Sequence, residues 1–442
     1  LFKSNITINI DIFDRLATPF GLLRNGVAPD HQQMKSIRNY YNRIQEKNTP
    51  NIEFFGNVEI GKDLSINELK QHYDAIIYAY GSESDNKINL PNEERPGCYS
   101  AREFVGWYNG HPDYKDYQFD FSHHTVSIIG MGNIAMDIAR ILAKTPQELA
   151  SSDIAKHAQI ALKNSQVRNI KIFARRGPIQ AAFTHLECKE LGELQNCTVI
   201  VNPKDLILTK NDKAELEKNN KAQNNYKVLQ EHANKNQSHK EKTIEIHFKP
   251  SLTEIIGKKK LSKIKLNQSI LSGPAFKQKI VPTDQFKTIS CGLLFKSIGY
   301  KGLPIAGLPH FDNKKGIIPN TEGRLLTTNK APLYGMYTVG WIKRGPTGVI
   351  GSNKPCASET INTLLNDLHN NKIIPCSTPS STAIKKRLKE RNIPYINYKE
   401  WTKIDQEEEK RGKKTGKPRE KFVSTEEILV YLKKEKNKNG TH

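Results

Sequence analysis

A glycine-rich turn between two patterned segments is the first feature of the sequence that could bind a ligand. Residues 126–144, VSIIGMGNIAMDIARILAK, run from an apolar segment of strand length into an amphipathic helical pattern. Gly130, Gly132 and Asn133 stand at the junction, and Ala135 takes the third position of a GxGxxG-like pattern. Such glycines let backbone N–H groups approach a pyrophosphate at the start of a helix. The turn predicts a dinucleotide phosphate site, with a tight turn that binds nothing as the alternative.

Two arginines close the next strand-like segment, VRNIKIFARRGP at residues 167–178. Arg175 and Arg176 stand where an NAD-binding fold usually has an acid for the ribose hydroxyl. Two guanidinium groups instead suit the 2′-phosphate of NADP, through bidentate charge-assisted hydrogen bonds. Without the preceding glycines, a solvated strand end would be the better interpretation. With them, the pair predicts NADP rather than NAD.

A second glycine-rich segment, GWIKRGPTGVIG at residues 340–351, places Trp341 beside Gly345, Gly348 and Gly351. An aromatic ring next to a glycine turn can cover a planar cofactor, or it can fill a domain interface. The spacing alone favours neither interpretation.

Other reaction chemistries lack a signature in this sequence. The six cysteines are scattered without a CxxC pair or a metal-ligand spacing, which predicts free thiols in a reducing compartment and argues against a disulfide relay. No HExxH motif and no defensible Ser/His/Asp order is present. We expect no metal site.

The net charge of +22, from 68 Lys+Arg against 46 Asp+Glu, raises the question of nucleic-acid binding. Much of the excess is lysine interleaved with asparagine, as in KNDKAELEKNNKAQNNYK at residues 210–227, without aromatic residues spaced to stack bases. We therefore expect no nucleic-acid partner, whereas a basic face that attracts an acidic protein stays open.

The secondary-structure pattern indicates an α/β protein of about two to three domains. The glycine turn lies in a βαβ unit whose strands are residues 125–130 and 167–178, which implies a parallel pair. Shorter strands are predicted at 6–13, 52–61, 75–82 and 292–300, helices at 34–45 and 357–370, and an irregular loop at 17–31. The polar stretch 203–245 predicts a solvated helix or surface insertion, and the charged tail EEEKRGKKTGKPREKF predicts an exposed segment. No apolar run reaches the roughly 18 residues that span a bilayer.

Seven motifs, in order along nearly the whole chain, resemble the adrenodoxin reductase family of mitochondrial-type ferredoxin–NADP⁺ reductases. They are PFGLLRNGVAPDH, REFVGWYNGHP, GMGNIAMDIARIL, ARRGPIQAAFT, SIGYKG, GWIKRGPTGVIGSNK and RGKKTGKPREK. The resemblance implies two Rossmann-like domains of the glutathione-reductase type, the FAD domain being discontinuous in sequence. The expected boundaries are 1–82 with 307–442 for FAD, and 83–306 for NADPH, with the insertion near 203–245.

The resemblance also implies the site residues. His31 and Glu190 match a polar pair near the nicotinamide, with a role in orientation or protonation, although His31 could only brace its loop. Asp137 matches an acidic position that we interpret as structural or partner-facing. FAD is expected at Asp14, Leu22, Val58, Trp341, Gly348, Val349 and Ile350. NADPH is expected at Gly130, Gly132, Asn133, Arg175, Arg176, Glu187 and Gly348.

The sequence departs from the family pattern at two places. The family opens with a strand and a GxGxxG turn for the FAD pyrophosphate, whereas this chain opens with LFKSNITINIDIFDR, which matches the following helix end and second strand. We therefore expect a fragment or an incomplete gene product, in which FAD binding is in question. Asn25 also replaces an aromatic residue of the family loop near the flavin.

The resemblance implies a flavoprotein that passes electrons from NADPH through FAD to an acidic [2Fe–2S] ferredoxin. It further implies a monomer on the matrix side of mitochondria, without a transmembrane segment and with peripheral membrane association left open. A truncated NADP(H)-binding protein without turnover is the alternative.

Overall fold

The protein is described by a computed structural model that covers residues 6–48, 51–235, 240–348 and 350–439. The strands of this part are β1 Ile10–Asp14, β2 Ile52–Gly56, β3 Ile76–Tyr78, β4 Ser84–Asp85, β5 Cys98–Ser100, β6 Thr125–Ile129, β7 Asn169–Ala174, β8 Cys197–Val201, β9 Lys242–Phe248, β10 Pro250–Ile256, β11 Lys263–Ser272, β12 Lys279–Ser290, β13 Leu293–Lys296, β14 Tyr300–Lys301, β15 Asn320–Thr321, β16 Arg324–Leu326 and β17 Pro332–Thr338. The α-helices are α1 Gly21–Asn25, α2 Gln32–Lys35, α3 Arg38–Lys47, α4 Ile66–His72, α5 Ala101–Asn109, α6 Asn133–Ala143, α7 Pro146–Ala150, α8 Lys156–Lys163, α9 His185–Leu191, α10 Lys210–Glu217, α11 Asn220–Asn234, α12 Trp341–Arg344, α13 Asn353–His369, α14 Ser381–Glu390, α15 Tyr398–Lys413 and α16 Thr425–Asn439.

The largest sheet has six strands in the order β5-β13-β6-β7-β9-β8, and every neighbouring pair is parallel. The predicted βαβ unit is confirmed, since β6 pairs with β7 and α6 crosses between them. Strand residues such as Ile128, Ile172 and Phe295 are fully buried, as are Met136 and Ile138 on the inner face of α6. Strands that are covered by helices on both faces have nearly continuous apolar sequences, as these strands do.

The polar stretch 203–245 contributes more to the interior than its composition predicts. Leu229 of α11 is fully buried, and β9 lies inside the sheet between β7 and β8. Along β9, Ile244, Ile246 and Phe248 are buried while the residues that alternate with them are half-buried. The alternating positions of β9 are polar, and the lysine- and asparagine-rich composition of the whole stretch hides this period when it is averaged. Residues 236–239 lie outside the described part.

Smaller sheets join distant parts of the chain. Strands β1 and β2 form a parallel pair, and β3 pairs in parallel with β17 at one edge of the sheet β15-β16-β17-β3. A strand from the first fifth of the chain is thus completed by one from its last third. Strands β4 and β14 form a short antiparallel ladder, and β10, β11 and β12 form an antiparallel sheet of their own.

Two local predictions near the start of the chain need correction. The predicted loop at 17–31 contains the five-residue helix α1. The single helix predicted at 34–45 is two helices, α2 and α3, with Ser36 and Ile37 between them. The segment 17–31 has no apolar period, and a helix as short as α1 is not stable by itself. Contacts with distant segments must therefore stabilise α1.

The charged C-terminal tail is buried in part, whereas the sequence predicts an exposed segment. Arg419 and Lys421 are 4% and 5% exposed, and Lys417 is buried as well. Glu408 of α15 is completely buried and accepts hydrogen bonds from Arg419 and from the backbone N–H of Phe422. Ion pairing across the fold lets these charged side chains lie in the interior.

Within the described ranges, every helix falls short of the length or the apolarity needed to cross a bilayer.

Candidate functional site

The turn between β6 and α6 approaches its neighbours closely on one side and leaves space on the other. Gly130 has φ of +130°, and a Cβ there would overlap the carbonyl oxygen of Ser297, so this position requires glycine. A Cβ at Gly132 would meet no atom within 4 Å. The Asn133 side chain accepts a hydrogen bond from the Thr184 N–H at 2.7 Å. The first turn of α6, which has no acidic residue, therefore faces open space that fits a pyrophosphate.

Arg175 and Arg176 follow β7 directly, at the same edge of the sheet as the turn after β6. Both side chains are exposed, and neither guanidinium forms an ion pair with another residue in the described ranges. Two unpaired cations beside an open helix N-terminus form a donor set that fits a phosphate ester. The residues present therefore fit NADPH.

The segment around α12 is open on one side. A Cβ at Gly340 or at Gly345 would meet no atom within 4 Å. Trp341 begins α12 between these glycines and is half-buried, and its ring centroid lies 5.9 Å from that of Tyr300. Open space beside an aromatic pair fits one face of a planar cofactor ring.

Three of the residues expected at the flavin follow this helix. Gly348 has φ of +84° and packs near the side chain of Ser352. Val349 lies outside the described residues. Ile350 is described by its backbone alone, at the start of the 3₁₀ turn Ile350–Ser352.

Asp14 ends β1, and its carboxylate accepts a hydrogen bond from the Leu16 N–H at 2.9 Å. Desolvation raises the pKa of this carboxyl to about 6. Val58 is buried, and its N–H donates to the Asp14 carbonyl at 2.9 Å, whereas Leu22 of α1 is 53% exposed. A carboxylate at a parallel strand end suits a ribose hydroxyl. Together with the open α12 segment, these groups fit FAD.

Arg140 of α6 is the centre of a buried ion cluster. Its guanidinium is 2.8 Å from Asp30, 2.6 Å from Asp137 and 3.1 Å from Glu187, with Glu190 at 3.5 Å. The arginine side chain is 2% exposed. One delocalised cation with five donors can satisfy several carboxylates at once, and this explains how so many acids lie together in the interior.

His31 completes the cluster. Its Nε2 lies 2.9 Å from the Glu190 carboxylate and 3.9 Å from that of Glu187. Burial by itself would lower the pKa of His31, but the hydrogen bond to Glu190 and the charges of Asp137 and Asp30 raise it. Burial and the charge of Asp137 raise the pKa of Glu187 to about 7. The cluster is therefore built to hold a proton near neutral pH.

Ligand atoms of His31, Asp137 and Glu187 lie within 4.8 Å of one another, a spacing that could suit a metal ion. The guanidinium of Arg140 already contacts the carboxylates of Asp137 and Glu187. A resident cation thus neutralises these oxygens, and we interpret the group as an acid–base cluster.

Sequence reasoning missed the residues that support this cluster, which are Arg140, Asp30 and Lys144. Lys144 lies 2.8 Å from the Asp30 carboxylate. Arg140 stands between the buried residues Ala139 and Ile141 of α6. A lone arginine within an apolar helix stripe is a usable signal, because such a charge must find a partner in the interior.

The structure brings His31, Glu190 and Glu187 together, and it brings Asp14 next to Val58. Glu187, which we expected at the NADPH site, forms its ion pair with Arg140 of the His31 cluster. The roles assigned to the site residues stay predictions.

Replacing Glu187 with glutamine should flatten the pH dependence of stability. The folded-state pKa of about 7 lies above the ordinary glutamate value of 4.5. The stability that the bound proton adds is therefore complete below the unfolded pKa and is lost as pH rises through about 7. Urea unfolding from about pH 5 to about pH 8 measures this loss, which E187Q should lack. The exposed control E193Q should follow the wild type, and an E187Q curve parallel to the wild type would contradict the assignment.

Comparison with known proteins was made by family, by sequence and by structure. No family model matches the chain. It is 38% identical over 444 residues to "NADPH:adrenodoxin oxidoreductase, mitochondrial" of Arabidopsis thaliana, covering 97% of this chain and 91% of that protein. It is 39% identical over 431 residues to "NADPH-ferredoxin reductase FprA" of Mycobacterium tuberculosis, covering 96% of this chain and 92% of that protein.

A solved structure of Mycobacterium tuberculosis FprA in complex with NADPH superposes with a TM-score of 0.89 at 37% identity, covering 96% of this chain and 93% of that one. The resemblance inferred from the seven motifs is confirmed, and so is the fold class. Identity at this level over nearly the whole of both chains places the protein in the family of the NADPH:adrenodoxin and NADPH-ferredoxin reductases.

Proposed function

We propose that the protein passes electrons from NADPH through bound FAD to a [2Fe–2S] ferredoxin. The observation that carries this proposal is the shared sheet edge at which the open turn of Gly130 and Gly132 meets Arg175 and Arg176. This arrangement fits a dinucleotide that bears a 2′-phosphate. Family membership makes the protein an oxidoreductase with FAD and NADPH as its cofactors.

The NADPH site is assigned to residues of the six-stranded sheet. The free N–H groups at the start of α6, next to Gly132 and Asn133, would hold the pyrophosphate. Arg175 and Arg176 would hold the 2′-phosphate by charge-assisted hydrogen bonds. Their exposure allows the nucleotide to enter and leave.

The FAD site is assigned to β1 and to the segment around α12. Asp14 would accept hydrogen bonds from the adenosine ribose, and Leu22 and Val58 would line the FAD site. Trp341 and Gly348, followed by Val349 and Ile350, would lie along the ring system. When bound, FAD supplies the conversion of a hydride into single electrons for the iron–sulfur partner. The protein groups position the two ring systems and exclude water between them.

His31 and Glu190 are assigned to positioning and to proton storage at the nicotinamide side. Glu190 is 40% exposed in its side chain, whereas His31 is only 13% exposed. The pair thus reaches from the buried Arg140 cluster towards solvent. A proton can move along this hydrogen bond while Arg140 keeps its ion pairs with Asp30, Asp137 and Glu187.

We also propose the domain boundaries 1–82 with 307–442 for the FAD domain, and 83–306 for the NADPH domain. The pairing of β3 with β17 supports a discontinuous first domain. The ladder between β4 and β14 lies close to both proposed boundaries. It supports a pair of chain passages between the domains that run side by side.

The partner is proposed to be an acidic ferredoxin, because a net charge of +22 steers association with an anionic protein. We propose that the protein is a monomer. A mitochondrial location is supported by the names of relatives such as that of Arabidopsis thaliana, although bacterial relatives are equally similar. Peripheral membrane contact is compatible with the basic surface.

Steady-state reduction by the FAD-loaded protein tests the function. With NADPH, it should reduce ferricyanide directly, and cytochrome c only when a [2Fe–2S] ferredoxin is added. The flavin absorbance spectrum of the purified protein verifies loading. NADPH binding without any ferricyanide reduction by the loaded protein would favour the alternative, a nucleotide-binding protein without turnover.

A further inference from the structure

A cavity of about 150 Å³ lies where three distant parts of the chain meet. The region from Phe20 to Asn39 forms one wall, and Asp153 stands opposite. The third wall comes from the C-terminal region, through Trp401, Arg419 and Lys421. None of the residues assigned above to FAD or NADPH lines this cavity.

The wall of the cavity is strongly cationic. Of its twelve lining residues, five are basic and one, Asp153, is acidic. The basic residues are Arg24, Lys35, Arg38, Arg419 and Lys421. All but Arg38 are buried. Buried charges normally have matched partners, so this imbalance needs an explanation.

Two ammonium groups share the single lining carboxylate. The Asp153 carboxylate lies 2.6 Å from Lys35 Nζ and 3.4 Å from Lys421 Nζ. Both ammonium groups also lie 3.4 Å from the side-chain oxygen of Asn109. Lys421 donates in addition to the carbonyl oxygens of Arg24 and Asn109. This side of the cavity thus has two cations for one anion.

The three arginines of the cavity form ion pairs with carboxylates that do not line it. Arg24 lies 2.5 Å from Glu408, and Arg419 lies 3.1 Å from the same carboxylate. Arg38 lies 2.9 Å from Glu409 and 3.5 Å from Asp405. With Asp153, four carboxylates therefore face five cations. With every one of these groups ionised, one positive charge beside the cavity is left over.

Burial disfavours the charged forms of Lys421 and Lys35. Burial, and then the charges of Lys35 and Arg24 against the opposing Asp153 and Glu408, lower the pKa of Lys421 to about 7. Burial also lowers the pKa of Lys35. An anion in the cavity would offset both the desolvation and the repulsion among these cations, and it would favour the protonated form of both lysines.

We propose that this cavity binds a small doubly charged oxyanion of the phosphate or sulfate class, held by Lys35, Lys421 and the surrounding arginines. Guanidinium and ammonium groups are the donors that such oxyanions prefer. Because Lys35 and Lys421 belong to two distant regions of the chain, the bound anion ties these regions together. The site does not depend on the proposed electron transfer.

Sulfate is the probe, because its charge is constant in the pH range in which Lys421 titrates. The FAD-loaded protein is titrated with sulfate at constant ionic strength, with chloride as the balancing ion. Tryptophan fluorescence follows binding, since Trp401 lines the cavity, and thermal unfolding follows stability. We expect saturable binding, a higher Tm in sulfate than in chloride, and tighter binding at about pH 6 than at about pH 8.5.

Lys421→Met should weaken sulfate binding about tenfold or more, because it removes a buried donor and charge. Arg38→Met tests the same site from its half-buried rim, and it should also weaken binding if Lys421→Met folds poorly. Lys410→Met, an exposed position of α15, is the control and should bind like the wild type. A sulfate response that is linear with concentration, or one that is equal in all three variants, would overturn the proposal. Phosphate titrated at one pH should compete with sulfate, and failure to compete would count against a shared oxyanion site.

Discussion

Replacing Arg176 with glutamate should raise the KM for NADPH about a hundredfold, because each charged hydrogen bond contributes about 1.5–3 kcal/mol. Arg176 is exposed at the end of β7 and has no carboxylate partner in the described ranges, so the substitution removes no structural ion pair. A glutamate there would repel the 2′-phosphate as well as lose its bonds. The KM for NADH, which lacks this phosphate, should change only a few-fold.

The measurement is steady-state reduction of ferricyanide with NADPH and with NADH, together with ferredoxin-dependent reduction of cytochrome c. Lys163→Glu, an exposed charge reversal at the end of α8, controls for the general loss of positive charge. At saturating NADPH, the rate of cytochrome c reduction by R176E should depend on ferredoxin concentration as it does in the control. Equal effects on the NADPH and ferredoxin steps would contradict the assignment of the 2′-phosphate site.

Replacing Arg140 with methionine should lower the free energy of unfolding by about 3–5 kcal/mol at neutral pH. The substitution keeps the aliphatic stem but leaves the carboxylates of Asp30, Asp137 and Glu187 without their shared cation. Uncompensated buried charge is among the largest penalties that a single substitution can cause. Urea denaturation of the FAD-loaded protein measures the loss.

The difference in free energy of unfolding between R140M and the wild type should shrink as pH falls. Burial would raise the pKa of Asp30, but Arg140 and Lys144 outweigh it and hold that pKa far below its usual range. The stability from this pairing is present above the unfolded pKa of Asp30 and is lost as pH falls through its folded pKa. In R140M the carboxylates can protonate early, so the wild type loses more on acidification. Arg43→Met, an exposed position of α3, should change stability little, and an R140M protein as stable as the wild type would refute the role of the cluster.

The predictions around the glycine turn, which rest on local pattern, agree with the structure. The glycine turn, the strands on either side of it and their parallel pairing follow from residues close together in sequence. Apolar periodicity and glycine chemistry act over a few residues, so they are readable without the fold. The placement of Arg175 and Arg176 at the same sheet edge follows from the same reasoning, because parallel strands end together.

Predictions based on average composition fail where charge is buried. The tail EEEKRGKKTGKPREKF and the stretch 203–245 both read as solvated, yet Lys421 and β9 lie inside the protein. Composition measures how polar a segment is, whereas burial depends on which partners the segment meets. Lys421 contacts Asp153 and Asn109, which are distant from it in sequence.

The sequence by itself determined the family, the α/β class, the two glycine-rich segments and the preference for a 2′-phosphate, because each rests on short-range spacing or on motifs. Only the tertiary structure decided that Arg140 joins four acids beside His31, and that five cations surround one small cavity. The physical reason is that an ion pair depends on distance in space. Arg24 and Glu408 lie 384 residues apart in the chain and 2.5 Å apart in the fold.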